Sequence, residues 1–107
     1  MTLNEYQGLA ARTINEELKP REKELHALHG LCAEVGEIHG IFQKFYQGHP
    51  VDEGTLIKEV GDLMWFVAEL CTTEGWSLDD VAKMNIEKLK RRYPGGFDTE
   101  RSIHRED

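Results

Sequence analysis

Long apolar runs are missing from this 107-residue sequence, and none approaches the roughly 20 residues that a membrane-spanning helix needs. The N-terminus also lacks the basic and then apolar layout of a secretory leader. Cysteine is scarce, since only Cys32 and Cys71 are present, without metal-binding spacing and too few for a disulfide framework. Both lie among apolar neighbours, so we expect buried thiols. These absences predict a soluble, cytoplasmic protein with no membrane partner.

Basic residues are outnumbered, with 13 Lys and Arg against 20 Asp and Glu and a formal net charge of −7. This balance argues against a general nucleic-acid binder, which needs a basic face to displace counterions from phosphates. An acidic protein can still bind a phosphorylated small molecule if a divalent cation lies between the two. The length suits one domain and is too short for two ordinary ones. A modest core of this size favours helix pairing between subunits.

Sustained alternation of polar and apolar residues is also absent, which argues against strands and predicts an all-α fold of four helices. Thr2 with Glu5 three residues later fits a capping box for the first helix, whose apolar positions reach Ile14. Pro20 ends or restarts this segment. The second helix is then predicted over residues 21–46.

Glycine, proline and capping residues set the limits of the remaining helices. Asp52 or Thr55 can cap the third helix, which is predicted to stop near Gly75. Ser77 with Asp80 forms another capping box and opens a fourth helix that lasts to about residue 93. We therefore predict one helical domain over residues 1–96 and a polar C-terminal tail over 97–107, with a mobile terminus as the simplest form of the tail. The alternative is that the tail's Phe97 and Ile103 fold back over a site.

An internal repeat links the second and third helices. A shift of 25 residues aligns segment 31–38 with segment 56–63, with identical residues at four of the eight positions. The two acids of each segment occupy matching positions, Glu34 with Glu59 and Glu37 with Asp62. This repeat predicts two helices packed antiparallel with equivalent faces inward.

A helical wheel places each acid pair at the edge of an apolar arc. The apolar positions are Leu28, Leu31, Cys32, Val35, Ile38, Phe42 and Phe45 in the second helix, and Leu56, Ile57, Val60, Leu63, Met64, Val67 and Leu70 in the third. Within each pair the carboxylates are spaced i, i+3, so their side chains meet. Gly36 and Gly61 lie between the acids, where glycine is costly in a helix, and predict close helix approach or a packing neighbour.

Four carboxylates brought together would repel one another and lose solvation unless a cation compensates them. Ligation by oxygen alone favours Mg²⁺, with Mn²⁺ as a substitute, over zinc. The sequence therefore predicts a metal site formed by Glu34, Glu37, Glu59 and Asp62. The alternative for either pair alone is ordinary surface charge on a helix.

Basic side chains beside these positions predict a phosphate-binding strip. Lys44 continues the acid strip of the second helix, although an ion pair with a nearby acid such as Glu69 explains it equally well. Asn85, Lys88 and Arg92 form a polar line at i, i+3 and i+7 along the edge of the fourth helix. Such groups opposite a metal-bound polyphosphate provide the charge neutralisation that phosphoryl chemistry needs. A basic last turn that complements the helix dipole is the alternative, and it suits Lys90 and Arg91 better than Lys88 and Arg92.

These residues resemble a known family. Glu34-x-x-Glu37, a spacer of 21 residues and Glu59-x-x-Asp62 are similar to the motif of the MazG-like, all-α nucleoside triphosphate pyrophosphohydrolases. The ending of the fourth helix, Asn85…Lys88-Leu-Lys-Arg91-Arg92-Tyr93, is similar to the basic ending of that helix in the family. The resemblance covers roughly residues 26–97.

The resemblance implies a MazG-like four-helix bundle that forms homodimers, or homotetramers built from dimers. It implies Mg²⁺ on the four acids and cleavage of nucleoside triphosphates, deoxynucleotides included, between the α and β phosphates. The products would be a nucleoside monophosphate and pyrophosphate, a reaction suited to cleaning nucleotide pools. One of the four carboxylates would activate the attacking water. Arg91 joins Lys44, Asn85, Lys88 and Arg92 as a substrate-contact candidate.

Base selection must come from residues outside the motif. Tyr6, Gln7, Trp65 and Trp76 are the candidates, because their rings or amides could stack on a base or hydrogen-bond to it. Each candidate also has a purely structural explanation. Tyr6 would belong to the core beside the first helix, Gln7 to the surface, Trp76 to a cover over the end of the third helix, and Trp65 to a subunit interface.

Two other functional classes stay open. A di-iron carboxylate oxidoreductase would typically carry Glu-x-x-His on two helices, and no Glu-x-x-His occurs in this chain. His26 and His29 are spaced i, i+3 without an acid in that register and receive no role. A catalytically inactive nucleotide sensor, or a helical interaction partner of the antitoxin type, would keep the fold without turnover.

Overall fold

A computed structural model describes residues 1–105, and within that range the protein consists of α-helices without strands. The five helices are α1 (Leu3–Ala11), α2 (Pro20–Tyr46), α3 (Glu53–Glu74), α4 (Leu78–Arg92) and α5 (Thr99–Ile103). The predicted all-α class is therefore confirmed.

The start of α1 is as predicted, but its end is not. The Thr2 hydroxyl accepts a hydrogen bond from the Glu5 amide at 3.0 Å, and the Glu5 carboxylate accepts one from the Thr2 amide. The helix ends at Ala11, so the prediction that it continues past Ile14 toward Pro20 is wrong. Ile14 is buried in the connecting segment instead of on a helix. The helical spacing of apolar residues up to Ile14 therefore reflects their burial and does not mark the extent of α1.

The limits of α2, α3 and α4 follow the predicted local signals. Pro20 occupies the first turn of α2, where its missing N–H costs nothing. The Asp52 carboxylate caps α3, and Gly75 ends it with a φ of 77°, a left-handed conformation that glycine adopts without strain. The Ser77 hydroxyl caps α4 by accepting a hydrogen bond from the Asp80 amide.

The C-terminal tail carries a helix that the sequence did not predict. The Asp98 carboxylate accepts hydrogen bonds from the Glu100 and Arg101 amides and so begins α5. Phe97 lies against the Tyr93 ring, with 5.4 Å between ring centroids, although 76% of Phe97 is exposed. Residues 106 and 107, which the predicted tail included, lie outside the described residues.

The helices α2 and α3 form an antiparallel hairpin. His26 pairs with Glu69, and Gly30 lies against Phe66, so partner numbers fall on α3 as they rise on α2. A Cβ at Gly30 would overlap atoms of the Phe66 ring, so this ring packs directly against the glycine. The predicted close contacts at Gly36 and Gly61 are absent within the chain, because a Cβ there would meet no described atom within 4 Å.

Helix α1 links the hairpin to α4 through the side chains of Gln7 and Asn4. The Gln7 amide nitrogen donates to the Trp76 carbonyl at 2.8 Å and to the Thr72 hydroxyl, and its oxygen accepts from the Leu78 amide at 2.7 Å. Asn4 adds a second link, since its side-chain oxygen accepts from the Ser77 hydroxyl and the Asp79 amide. These bonds hold the junction between α3 and α4 against α1.

A large part of the apolar surface is left exposed by residues 1–105. The radius of gyration is 17.1 Å, whereas a compact chain of this length has one of about 13 Å. On both α2 and α3, only one side of the apolar arc packs against the other helix of the hairpin. The other side is exposed, and we call these exposed apolar residues the uncovered stripe. Its members are Leu28, Cys32, Val35, Phe42, Phe45, Ile57, Val60 and Met64. The prediction that both cysteines are buried is therefore right for Cys71 and wrong for Cys32.

Candidate functional site

Three carboxylates from the hairpin converge at one point. Glu34 of α2 and Glu59 and Asp62 of α3 each place an oxygen within 4.8 Å of the other two. The antiparallel packing brings the two repeat segments side by side, so the matching residues Glu34 and Glu59 become neighbours. The group can hold a divalent cation, because each residue offers one oxygen ligand.

Glu34 is the acid of this group whose pKa is clearly raised. A hydrogen bond between its carboxyl group and that of Glu59, loss of solvent and the nearby charges of Glu59 and Asp62 raise the pKa of Glu34 to about 7. Its Oε2 atom is buried and has no hydrogen-bond partner among the described residues. A buried carboxylate oxygen without a donor is costly, and a bound cation would remove that cost. The donor set and this unsatisfied oxygen both fit a hard divalent cation.

Glu37 stands apart from the other three acids. It is exposed and is not one of the residues whose oxygens lie within 4.8 Å of one another. Its charge nevertheless contributes to the raised pKa of Glu34, so it is close enough to act on the group. The structure thus brings three of the four predicted ligands together and leaves Glu37 at the edge.

Tyr6 reaches the acids from α1. Partial burial, together with the charge of Asp62, raises the pKa of the Tyr6 phenol above its usual value of 10.0. The other base-binding candidates are placed differently. The Gln7 amide is fully used in the α1 junction, the Trp65 indole N–H donates to the Thr13 hydroxyl at 2.8 Å, and Trp76 is 52% exposed.

The basic candidates lie in two separate places. Lys44 lines a cleft of about 300 Å³ at the turn between α2 and α3, together with His49, Asp52 and Thr55. On α4, Lys88 and Arg92 are partly buried, whereas Asn85 and Arg91 are exposed. Helix α4 packs against α1, and within residues 1–105 no hydrogen bond or ion pair joins Asn85 or Lys88 to the three acids.

Sequence reasoning missed one buried pair. Glu69 is 1% exposed, and both of its carboxylate oxygens lie within 2.9 Å of His26 Nδ1. Glu69, which occupies the repeat position equivalent to Lys44, therefore pairs with His26 and not with Lys44. The available signal was the spacing of Glu69, which lies seven residues after Asp62 and so on the same side of α3.

Comparison with known proteins adds family membership to this geometry. Neither the curated proteins nor the solved structures contain a match to this chain. Among the described residues no helix has the length and apolar character needed to cross a membrane. The model of the MazG nucleotide pyrophosphohydrolase domain matches residues 22–97, a range that holds α2, α3, α4 and all four motif acids. The chain therefore belongs to the MazG nucleotide pyrophosphohydrolase family.

Proposed function

We propose that this protein is an Mg²⁺-dependent enzyme that hydrolyses nucleoside triphosphates between the α and β phosphates. The observation that carries the proposal is the convergence of Glu34, Glu59 and Asp62 around a buried, unsatisfied carboxylate oxygen. Family membership supports nucleotide pyrophosphohydrolysis as the general activity. The products are a nucleoside monophosphate and pyrophosphate, and deoxynucleotides are included among the substrates.

In this proposal the four acids have two roles, the binding of Mg²⁺ and the transfer of a proton from water. Glu34, Glu59 and Asp62 would hold Mg²⁺, with Glu37 as the fourth ligand from the edge of the group. When bound, the ion supplies charge neutralisation and a more acidic water molecule. One of the four carboxylates would accept a proton from that water.

Positive side chains complete the phosphate site in this proposal. Lys44, Asn85, Lys88, Arg91 and Arg92 are the candidates for the β and γ phosphates. Support comes from the partial burial of Lys88 and Arg92, which are spaced i, i+4 on one side of α4, beside the exposed Arg91.

The cellular role that suits such an activity is the removal of unwanted nucleotides from the cellular pool.

A second copy of the chain is the proposed cover of the uncovered stripe. The accessible surface is 8085 Å², whereas a folded monomer of 12.3 kDa exposes about 6100 Å². The excess of about 2000 Å² exceeds the roughly 800 Å² that each partner buries in a standard interface. Leu28, Val35 and Phe42 recur at heptad spacing, which suits packing against another helix. We therefore propose a homodimer, or a tetramer of two such dimers.

The experiment is pyrophosphate release from a panel of ribo- and deoxyribonucleoside triphosphates, with Mg²⁺, with Mn²⁺ and with EDTA. We expect turnover with either metal, none with EDTA, and monophosphate and pyrophosphate in equal amounts. Release of orthophosphate would contradict cleavage between the α and β phosphates. Binding of nucleotides without any turnover would contradict the enzyme hypothesis and favour the alternative, a catalytically inactive nucleotide sensor.

A further inference from the structure

The buried pair of His26 and Glu69 lies outside the metal group and is not used in the reaction above. Glu69 has a side chain with no solvent exposure, and its oxygens lie 2.8 and 2.9 Å from His26 Nδ1. His26 itself is 48% exposed at the side chain. A carboxylate bonded at Nδ1 selects the form of the ring in which that nitrogen carries the hydrogen. The neutral ring then offers Nε2 as a hydrogen-bond acceptor.

The ring of His26 is held by more than this one bond. Its centroid is 6.3 Å from that of Trp65, edge to face, and 5.7 Å from that of Phe66. Trp65 is fixed in turn, because its indole nitrogen donates to the Thr13 hydroxyl at 2.8 Å. No residue within 1–105 makes a hydrogen bond to His26 Nε2. A half-exposed imidazole, bonded at Nδ1 and without a hydrogen bond at Nε2 from the described residues, thus lies beside the Trp65 and Phe66 rings.

Trp65 and Glu69, which contact His26, lie on the same helix as Asp62 of the metal group. Asp62, Trp65 and Glu69 are spaced i, i+3 and i+7, so they follow one side of the helix. His26 lies eight residues before Glu34 on α2, which corresponds to about 12 Å along the helix axis. An extended nucleotide can span such a distance from its phosphates to its base. The side of α3 that carries Asp62 thus also carries Glu69, to which His26 is hydrogen-bonded.

We propose that His26, oriented by Glu69, is a specificity-determining residue that accepts a hydrogen bond from an N–H group of the substrate's nucleobase. Trp65 provides the aromatic surface beside that base, and aromatic contact with a base is tolerant of its identity. The hydrogen bond supplies the discrimination, because a base that leaves a built polar group without its partner is rejected. This inference rests on the proposed function, since it places the phosphates of the same substrate at the acids.

The test compares His26→Asn with His29→Asn in the full-length protein. Asparagine can keep a donor toward Glu69 while it removes Nε2, and His29 is an exposed histidine on the same helix. Two quantities are measured: KM and kcat for triphosphates of all common bases, and the Kd of their non-hydrolysable α,β-methylene analogues with Mg²⁺. The melting temperature by circular dichroism controls for folding.

For His26→Asn we expect KM and Kd for the preferred base to rise by about tenfold or more, the cost of one lost hydrogen bond to a ligand. Preference between bases should shrink, kcat should change little, and His29→Asn should behave as wild type. Unchanged Kd and base preference in His26→Asn, or an equal loss for every base, would overturn the inference. If the wild type hydrolyses no nucleotide, the proposed function fails separately, and the Kd values alone then decide the role of His26.

Discussion

The carboxyl groups of Glu34 and Glu59, which occupy matching positions of the internal repeat, meet across the hairpin of α2 and α3 with oxygens within 4.8 Å of each other. Their closeness disfavours a second negative charge and helps to raise the pKa of Glu34 to about 7. A cation at this place must therefore compete with a proton on Glu34 when the pH is near neutral or below.

Stability without metal should fall as pH rises between about 4.5 and about 7. The pKa of Glu34 is raised in the folded state, so within this window the folded chain holds a proton that the unfolded chain releases. Thermal unfolding in EDTA at pH 5.5 and pH 8 measures the effect, and Glu34→Gln should reduce it. Glu87→Gln, a change at an exposed acid on α4, is the control. Added Mg²⁺ should raise Tm more at pH 8 than at pH 5.5. Identical pH profiles for wild type and Glu34→Gln would contradict this assignment.

Amide substitutions in the acid group should abolish most of the activity. Metal-dependent charge stabilisation is worth several kcal/mol, so Glu59→Gln and Asp62→Asn should each lower kcat about 10²-fold or more. Pyrophosphate release gives the rate, calorimetric titration gives Mg²⁺ binding, and Glu87→Gln is again the control.

Glu37→Gln decides whether the fourth acid is a ligand. As a ligand it should show losses of rate and Mg²⁺ affinity like those of Asp62→Asn. Wild-type values for Glu37→Gln would limit the site to the three acids that lie within 4.8 Å of one another.

Gly30→Ala should destabilise the protein by about 1–3 kcal/mol, because its Cβ would overlap the Phe66 ring and overpack the helix contact. Urea unfolding measures the change. Gly8→Ala on α1 is the matched control, since its Cβ meets no described atom within 4 Å. That variant should be stabilised by up to about 1 kcal/mol through helix propensity. Equal effects of the two substitutions would show that the closeness of Gly30 and Phe66 has no energetic weight.

Val60→Asp should dissociate the proposed dimer. Val60 is 44% exposed in the chain and lies in the uncovered stripe, so a buried unpaired charge there would oppose association. Light scattering after gel filtration should give the mass of two or four chains for wild type and of one chain for Val60→Asp. Leu9→Asp places the same charge on α1, at a leucine that is 54% exposed, and should keep the wild-type mass. A monomeric wild type would refute the second copy as the cover.

Several parts of the fold could be predicted because their causes are local. The capping residues Thr2, Asp52 and Ser77 begin their helices where the sequence places them, and Gly75 ends α3, since each acts on backbone groups a few residues away. The repeat of carboxylate pairs similarly indicated two equivalent helices. The end of α1 was not predictable from period alone, because Ile14 is apolar for burial and not for helix formation.

Through local chemistry and the repeat, the sequence by itself determined the all-helical class, most of the helix limits and the residues that can form a metal site. Only the tertiary structure decided that Glu34, Glu59 and Asp62 meet while Glu37 stays at the edge, that Gly30 rather than Gly36 is the close contact, and that Glu69 is buried on His26. The physical reason is that the crossing and register of two helices depend on how all their side chains pack, which no single spacing along the chain specifies.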